Sequence, residues 1–234
     1  MIGTGYVGLV TGTCFADIGN KVYCVDKDTN KIDKLNAGKS IIYEPGLDEI
    51  IKKNYNSKRL IFTSNVSLAV KNSDIIFICV GTPNKSGSQA VDLSYVFRAI
   101  KDIAKSTNNK KILITKSTVP VGTGDKIEKI LKKMKKDNFD VISNPEFLRE
   151  GEAIRDFRYP DRIIIGSNSN RVFKTMKNLY QPLINKGAKF FITSRRGAEL
   201  IKYASNAFLA TKITFINELS NLCEKSDINI EDIS

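Results

Sequence analysis

Short runs of Val, Ile, Leu and Phe recur along this chain, with longer amphipathic stretches between them. Lys21–Asp26, Asp74–Val80, Lys111–Lys116, Asp140–Ser143 and Arg162–Gly166 are the clearest of these runs. A half-exposed strand alternates polar and apolar residues, whereas a continuous apolar strand needs cover on both faces. Helical patterns lie between the first four runs, for example at Thr29–Ala37, Leu47–Asn54 and Leu93–Ser106. Strands and helices in alternation predict an α/β fold, a parallel sheet wound with helices on both sides. No internal repeat of fixed period competes with that reading.

The pattern changes near Gly197. From there to about Glu224, Leu200, Ile201, Ala204, Ala207, Phe208, Ile213, Phe215, Ile216, Leu219 and Leu222 recur at helical spacing. Apolar residues cover more than one face, which suits a helix buried between two domains or two subunits. The predicted organisation is a first domain over 1–196, a long central helix over 197–225, and the start of a further domain at 226–234. Asp232 or Ser234 is positioned to cap the helix that would follow. Only Met1 and Ile2 precede Gly3, where a first strand usually has about five residues. The sequence therefore reads as clipped at both ends.

Charge narrows the partners. Thirty-seven Lys and Arg against twenty-five Asp and Glu give a net charge of +12, which favours anionic ligands. The lysines are spread along helical surfaces. The dense run from Lys132 to Lys136 ends a helical pattern, where cations favour the helix dipole. No nucleic-acid motif accompanies the charge, so a dinucleotide or nucleotide sugar is expected rather than nucleic acid. No segment approaches the ~20 apolar residues of a membrane span. No basic leader precedes an apolar run, so a cytoplasmic protein without membrane contact is expected. Cys14, Cys24, Cys79 and Cys223 form no CxxC pair, and histidine is absent, so no metal site is expected. The first three sit in apolar contexts and read as small core residues.

Gly3-Thr4-Gly5-Tyr6-Val7-Gly8 is a GxGxxG motif. In such a loop the first glycine permits a tight turn and the second lets backbone approach a pyrophosphate. The third lets the next helix pack closely on the strand. Phosphates would lie at the N-terminus of the helix beginning near Tyr6, where free amides and the dipole favour anions. A strand then ends in Asp26, eighteen positions after Gly8, where a carboxylate accepts from a ribose 2′-hydroxyl and repels a 2′-phosphate. NAD is thus favoured over NADP, although Lys27 and Lys31 are near enough in sequence to tolerate a phosphate. The fold class sharpens to a Rossmann-like doubly wound parallel sheet followed by a long central helix.

Further clusters sit where such sheets hold ligands. Gly81-Thr82-Pro83 and Ser117-Thr118-Val119-Pro120 follow strands and place hydroxyls at the sheet's carboxyl edge. One of the hydroxyls of Ser117 and Thr118 could instead cap a helix. Glu146 and Glu150, four apart, would share one face if their segment turned as a helix. Lys202 and Asn206 are likewise four apart on the long helix. An ammonium beside an amide there would clamp a developing oxyanion.

These clusters, with Tyr43-Glu44-Pro45-Gly46-Leu47, Asn144-Pro145-Glu146-Phe147-Leu148-Arg149-Glu150-Gly151 and Pro160-Asp161-Arg162, stand in a specific order. Together they resemble the UDP-glucose/GDP-mannose dehydrogenase family, in its UDP-glucose 6-dehydrogenase form, along essentially the whole chain. The resemblance implies oxidation of the C6 hydroxymethyl of UDP-glucose to a carboxylate with two NAD⁺. It passes through an aldehyde, captured by a cysteine thiolate and oxidised to a thioester that water hydrolyses. Sister enzymes acting on GDP-mannose or a UDP-N-acetylhexosamine share the pattern, and a non-catalytic NAD-binding module is the alternative outside enzymes.

By position the resemblance gives catalytic parts to Thr118, Glu146, Lys202 and Asn206. Gly3, Gly5, Tyr6, Val7, Gly8, Asp26, Lys31, Thr82, Thr118 and Glu150 would face NAD. Glu146, Phe147, Leu148, Arg149, Glu150, Lys202 and Asn206 would face the sugar. The long helix would form the core of a homodimer. The family's nucleophilic cysteine segment lies beyond that helix and is not in this sequence, so the isolated chain is expected to give no sustained NADH formation.

Overall fold

The computed structural model describes residues 1–88 and 90–233. Its strands are β1 (Val22–Val25), β2 (Leu60–Thr63), β3 (Ile75–Ile78), β4 (Lys111–Thr115), β5 (Phe139–Ser143), β6 (Arg162–Gly166) and β7 (Lys189–Thr193). The first-half helices are α1 (Tyr6–Asp17), α2 (Thr29–Asn36), α3 (Leu47–Asn56), α4 (Val66–Lys71) and α5 (Ser94–Ser106). They are followed by α6 (Thr123–Lys133), α7 (Ala153–Arg158), α8 (Asn170–Leu179), α9 (Gln181–Ile184) and α10 (Arg195–Ser226). The apolar runs become strands and the amphipathic stretches helices, with ends shifted by a few residues. Neither β2 nor β7 was foreseen, because each is short and only partly covered.

Ile2 joins β1–β2 to the five strands β3–β7 by bridging Val25 on one side and Ile78 on the other. Its N–H donates to the Phe77 carbonyl and its carbonyl accepts from Cys79, both at 2.8 Å. Every ladder is parallel except β5–β6, which meet antiparallel at Ser143 and Gly166. From Ile2 the chain winds outward through β1 and β2, then crosses back to β3 on the other side. The crevice at that reversal is where open α/β sheets receive ligands.

Each face of the sheet has its own core. On one, Phe15 of α1 packs against Phe77, Phe157 and Tyr180, with ring centroids 5.5, 5.0 and 5.3 Å away. On the other, Ile100 and Ile103 of α5 and Ile127 and Leu131 of α6 cover Ile78, Leu113 and Val141. Each such side chain contributes about 1.5–3 kcal/mol when fully buried. Those contacts hold the strand ends in register at the crevice.

Helix α10 begins with a side-chain cap, Ser194 Oγ accepting from the Gly197 N–H at 3.0 Å. Its first two turns are anchored. Arg195, buried, pairs with Glu128 at 2.6 Å and with Asp125, and donates to the Val141 carbonyl at 3.2 Å. Glu199, also buried, accepts from the amides of Gly122 at 2.6 Å and Gly124 at 2.8 Å. Those are α6's first amides, so Glu199 supplies the cap that Gly122 cannot. Neither Ser117 nor Thr118 caps that helix, contrary to one sequence expectation. Ser117 donates instead to the Val80 carbonyl at 2.6 Å.

Beyond Lys202 the helix is different. Phe208, Leu209, Ile213, Phe215 and Leu222 are each more than half exposed. The short 3₁₀ turn Ile230–Asp232 that follows is capped by Asn229, whose Oδ1 accepts from the Glu231 N–H at 3.1 Å; Asp232, one expected cap of a later helix, is the last residue of this turn. Ser234, the other expected cap, lies outside the described residues.

Candidate functional site

Two cavities open at the carboxyl edge of the sheet. The first, about 530 Å³, lies at the topological switch and is lined by Gly3, Gly5, Asp26, Lys31, Val66 and Tyr95, among others. Sterics fix the loop beneath it. Gly3 has φ +103°, and a Cβ there would stand 2.7 Å from the Cys79 carbonyl oxygen. At Gly8 a Cβ would fall 2.0 Å from the Gly3 carbonyl oxygen, so only glycine lets α1 sit this close. A Cβ on Gly5 would meet nothing, which leaves open space above the loop. No side chain caps α1, so the amides of its first turn remain available at the positive end of the helix dipole.

Asp26 closes the far end of this cavity. Its Oδ2 accepts from the Thr4 N–H at 2.9 Å and the Thr4 hydroxyl at 2.8 Å, and its Oδ1 accepts from the Asp28 N–H at 3.1 Å. Burial raises the carboxyl's pKa, but those bonds and the nearby Lys31 outweigh it and hold the group below its ordinary range. A carboxylate offers about four acceptor positions, so an ionised, oriented Asp26 keeps capacity for a ribose hydroxyl. These features fit a dinucleotide. Thr82 stands at the adjoining edge, its hydroxyl donating to the Thr118 carbonyl at 2.9 Å. The wall formed by Val66, Tyr95, Arg98 and Ala99 went unassigned in the sequence. Only the amphipathic face of α5 hinted at it.

The second cavity, about 390 Å³, lies along the irregular segment after β5 and is lined by Lys116, Asn144, Glu146, Phe147, Arg162 and Tyr180, among others. Leu148 and Arg149 line it too. This segment is not helical, which corrects the expectation that Glu146 and Glu150 share a helix face. The Glu146 carboxylate accepts from the Leu148 N–H at 2.6 Å, a local bond that competes with helix formation. Glu150 falls on an exposed turn outside both cavity linings.

The other oxygen of Glu146 pairs with Lys202 of α10 at 2.9 Å, and both side chains are nearly buried. The Phe147 ring lies beneath two cations, with Arg162 4.5 Å and Lys202 5.4 Å from its centroid. The ammonium of Lys202 thus meets a carboxylate rather than the amide of Asn206, which is exposed one turn further on. Behind Glu146, Lys116 donates to Asn144 Oδ1 at 3.4 Å, and Tyr180 donates to the same oxygen at 2.5 Å. Burial lowers the Lys116 pKa and raises that of Tyr180.

Tyr6 does not turn its hydroxyl into the cofactor cavity. It donates to the buried carboxylate of Glu44 and accepts from the Gly151 N–H at 2.7 Å. Glu44 accepts in turn from Gly151 and Ile154 N–H, both at 3.0 Å. Glu44 went unassigned in the sequence, because two of its three partners lie more than a hundred residues downstream. All four cysteines are buried. Burial raises the thiol pKa of Cys14 to about 12 and those of Cys24 and Cys79 to about 11, so these three are unreactive core groups. No cluster able to hold a metal ion occurs among the described residues.

A doubly wound sheet, a glycine loop at its switch point and a carboxylate after the next strand define a dinucleotide-binding protein. Residues 1–184 match the NAD binding domain of the UDP-glucose/GDP-mannose dehydrogenase family, and residues 196–234 match that family's central domain. The chain belongs to this family. It is 51% identical to a UDP-glucose 6-dehydrogenase of Rhizobium meliloti and 49% identical to the UDP-glucose 6-dehydrogenase TuaD of Bacillus subtilis, each across its full length. It covers 54% and 50% of those proteins, and so spans about half the length of the curated relatives it matches. Among solved structures, a GDP-mannose dehydrogenase from Pseudomonas aeruginosa superposes with a TM-score of 0.94 at 33% identity. A UDP-glucose dehydrogenase from Pyrobaculum islandicum superposes with a TM-score of 0.93 at 37% identity. Each superposition covers 99% of this chain and 54% of the other.

Proposed function

We propose that this chain forms the NAD-binding half and one wall of the sugar site of an enzyme that oxidises UDP-glucose at C6 to UDP-glucuronate. The observation that carries the reading is the Lys202–Glu146 ion pair, nearly dry, beside a polar cavity at the sheet edge that also carries the cofactor crevice. When bound, NAD supplies the hydride acceptor. Lys202 lowers the energy of the alkoxide as the C6 hydroxyl loses its proton, and Glu146 takes that proton or holds a water. The Thr118 hydroxyl and Asn206 orient groups from either side. The Phe147–Glu150 backbone and Arg149 hold the sugar, while the α1 amides, Asp26 and Lys31 hold the cofactor. The buried thiols of Cys14, Cys24 and Cys79 are unsuited to capture the aldehyde, so the thioester step draws on a cysteine outside these residues.

The exposed apolar stretch of α10 fits a homodimer interface, since Phe208, Ile213 and Phe215 would otherwise leave a costly patch in water. Cytoplasmic residence goes with the cofactor. No helix among the described residues is long and apolar enough to cross a membrane. The curated relatives at 42–51% identity are UDP-glucose 6-dehydrogenases, and among the solved structures the UDP-glucose enzyme at 37% stands above the GDP-mannose enzyme at 33%, which supports UDP-glucose over its sisters. The test follows NADH formation by the full-length gene product with UDP-glucose, GDP-mannose and UDP-N-acetylmannosamine. Two NADH per UDP-glucose consumed is the expected result. Turnover of another nucleotide sugar with UDP-glucose inert would overturn it.

A further inference from the structure

Nothing in the assigned chemistry uses Glu44, yet it is a buried carboxylate with three donors from two distant parts of the chain. It lies just before α3 and lines neither cavity. Its oxygens take the hydroxyl of Tyr6 and the amides of Gly151 and Ile154. Tyr6 is the first residue of α1, so its own amide is at the phosphate end of that helix while its hydroxyl is on the carboxylate. Gly151 closes the segment that carries Glu146, Phe147 and Arg149, and takes φ +87° to do so. The Tyr6 hydroxyl also reaches the Arg149 carbonyl at 3.3 Å. Ile154 lies in the first turn of α7, so the same carboxylate caps that helix and fixes where the segment must end.

We propose that Glu44 is a positioning residue that latches the segment 146–151 to the first turn of α1. Occupation of the phosphate end then stiffens the segment facing the sugar. The inference rests on the reading of the glycine loop as the NAD site. Two buried cores hold α1 and the sheet fixed, whereas the segment 146–151 has no ladder of its own; beside the packing of Leu148 on the core that α1 shares, the latch is its hydrogen-bonded tie to α1. Immobilising Tyr6 removes freedom from Glu44, and through it from Gly151 and Ile154. Binding at one site thereby prepays part of the ordering cost at the other.

Hydrogen–deuterium exchange on the full-length gene product tests this, with saturating NAD⁺ as the only ligand. NAD⁺ is expected to slow exchange in the first turn of α1 and also, on the order of five-fold, at the Gly151 and Ile154 amides. In Glu44→Gln, and in Tyr6→Phe, the ratio of bound to free exchange at Gly151 and Ile154 should return to about one while protection of α1 by bound cofactor persists. Tyr6→Phe removes one hydroxyl and so carries the test should Glu44→Gln not fold. Protection of α1 without protection at Gly151 and Ile154 in the native protein overturns the latch. So does protection that survives in the variants. Slowing nowhere along the chain removes the cofactor reading itself, and the latch with it.

Discussion

The two cavities at the carboxyl edge are made of different material. The cofactor crevice is shaped by backbone: Gly3, Gly5 and Gly8 set its floor, and the α1 amides supply its polarity. The neighbouring cavity is shaped by side chains that meet from distant elements, Lys202 on Glu146, Arg162 on Phe147, and Tyr180 and Lys116 on Asn144. A site of the first kind fails when a side chain is added where none fits. One of the second kind fails when a single partner is removed, because the other is left charged and dry.

That contrast predicts opposite responses. Lys202→Met should lower turnover of the full-length enzyme on the order of 10²–10³-fold while NAD⁺ affinity stays near native, measured by kinetics and calorimetry side by side. An equal loss in cofactor binding would break the separation of the two cavities. Gly8→Ala should do the reverse. Its Cβ cannot coexist with the Gly3 carbonyl 2.0 Å away, so α1 must shift, costing about 3 kcal/mol and most of the NAD⁺ affinity. Thermal melting and equilibrium dialysis would detect both, and native-like binding would refute the steric account.

Asp26→Ala is expected to be milder. It removes the acceptor of two Thr4 bonds, costing about 1 kcal/mol, and it lifts the repulsion against a 2′-phosphate. The NAD⁺ to NADP⁺ preference should fall roughly ten-fold, and an unchanged ratio would leave Asp26 without its assigned part.

Asp17 sharpens the comparison from outside both cavities. Burial pushes its carboxyl up, but Lys53, Asn54 and Arg158 outweigh that and hold it below the ordinary range. A depressed pKa contributes stability that is complete above the unfolded value of about 3.9 and is lost as pH falls through the folded one. Asp17→Asn should therefore cost about 1 kcal/mol at neutral pH, and the gap should close below about pH 4. A gap constant with pH would show that the charge contributes nothing.

What could be read in the sequence follows the same division. Gly3, Gly8 and Asp26 act through neighbours close along the chain or across adjacent strands, and both their type and spacing carry the information. The wound sheet was legible because continuous apolar runs have few other uses. The role of Glu44 was not, since its partners at Gly151 and Ile154 are 107 and 110 residues away. Glu146 and Glu150 misled for a local reason. Spacing of four means one helix face only if the backbone turns, and here the Glu146 carboxylate holds the Leu148 amide in a different turn. Lys202 was read beside Asn206 because the two are four apart, yet its ammonium pairs with Glu146, brought in from a distant segment.

The cap of α6 has a consequence for how the protein is made. Gly122 offers no side chain, and the carboxylate that finishes the helix comes from Glu199, 77 residues later. While the ribosome is still producing the segment between them, α6 can pack its apolar face on the sheet but its leading amides stay open to water. The end of that helix sets only when α10 emerges and docks through Arg195 and Glu199. Synthesis order is thus written into the fold: the nucleotide half can collapse early, and its last loose end is tied by the long helix that follows it.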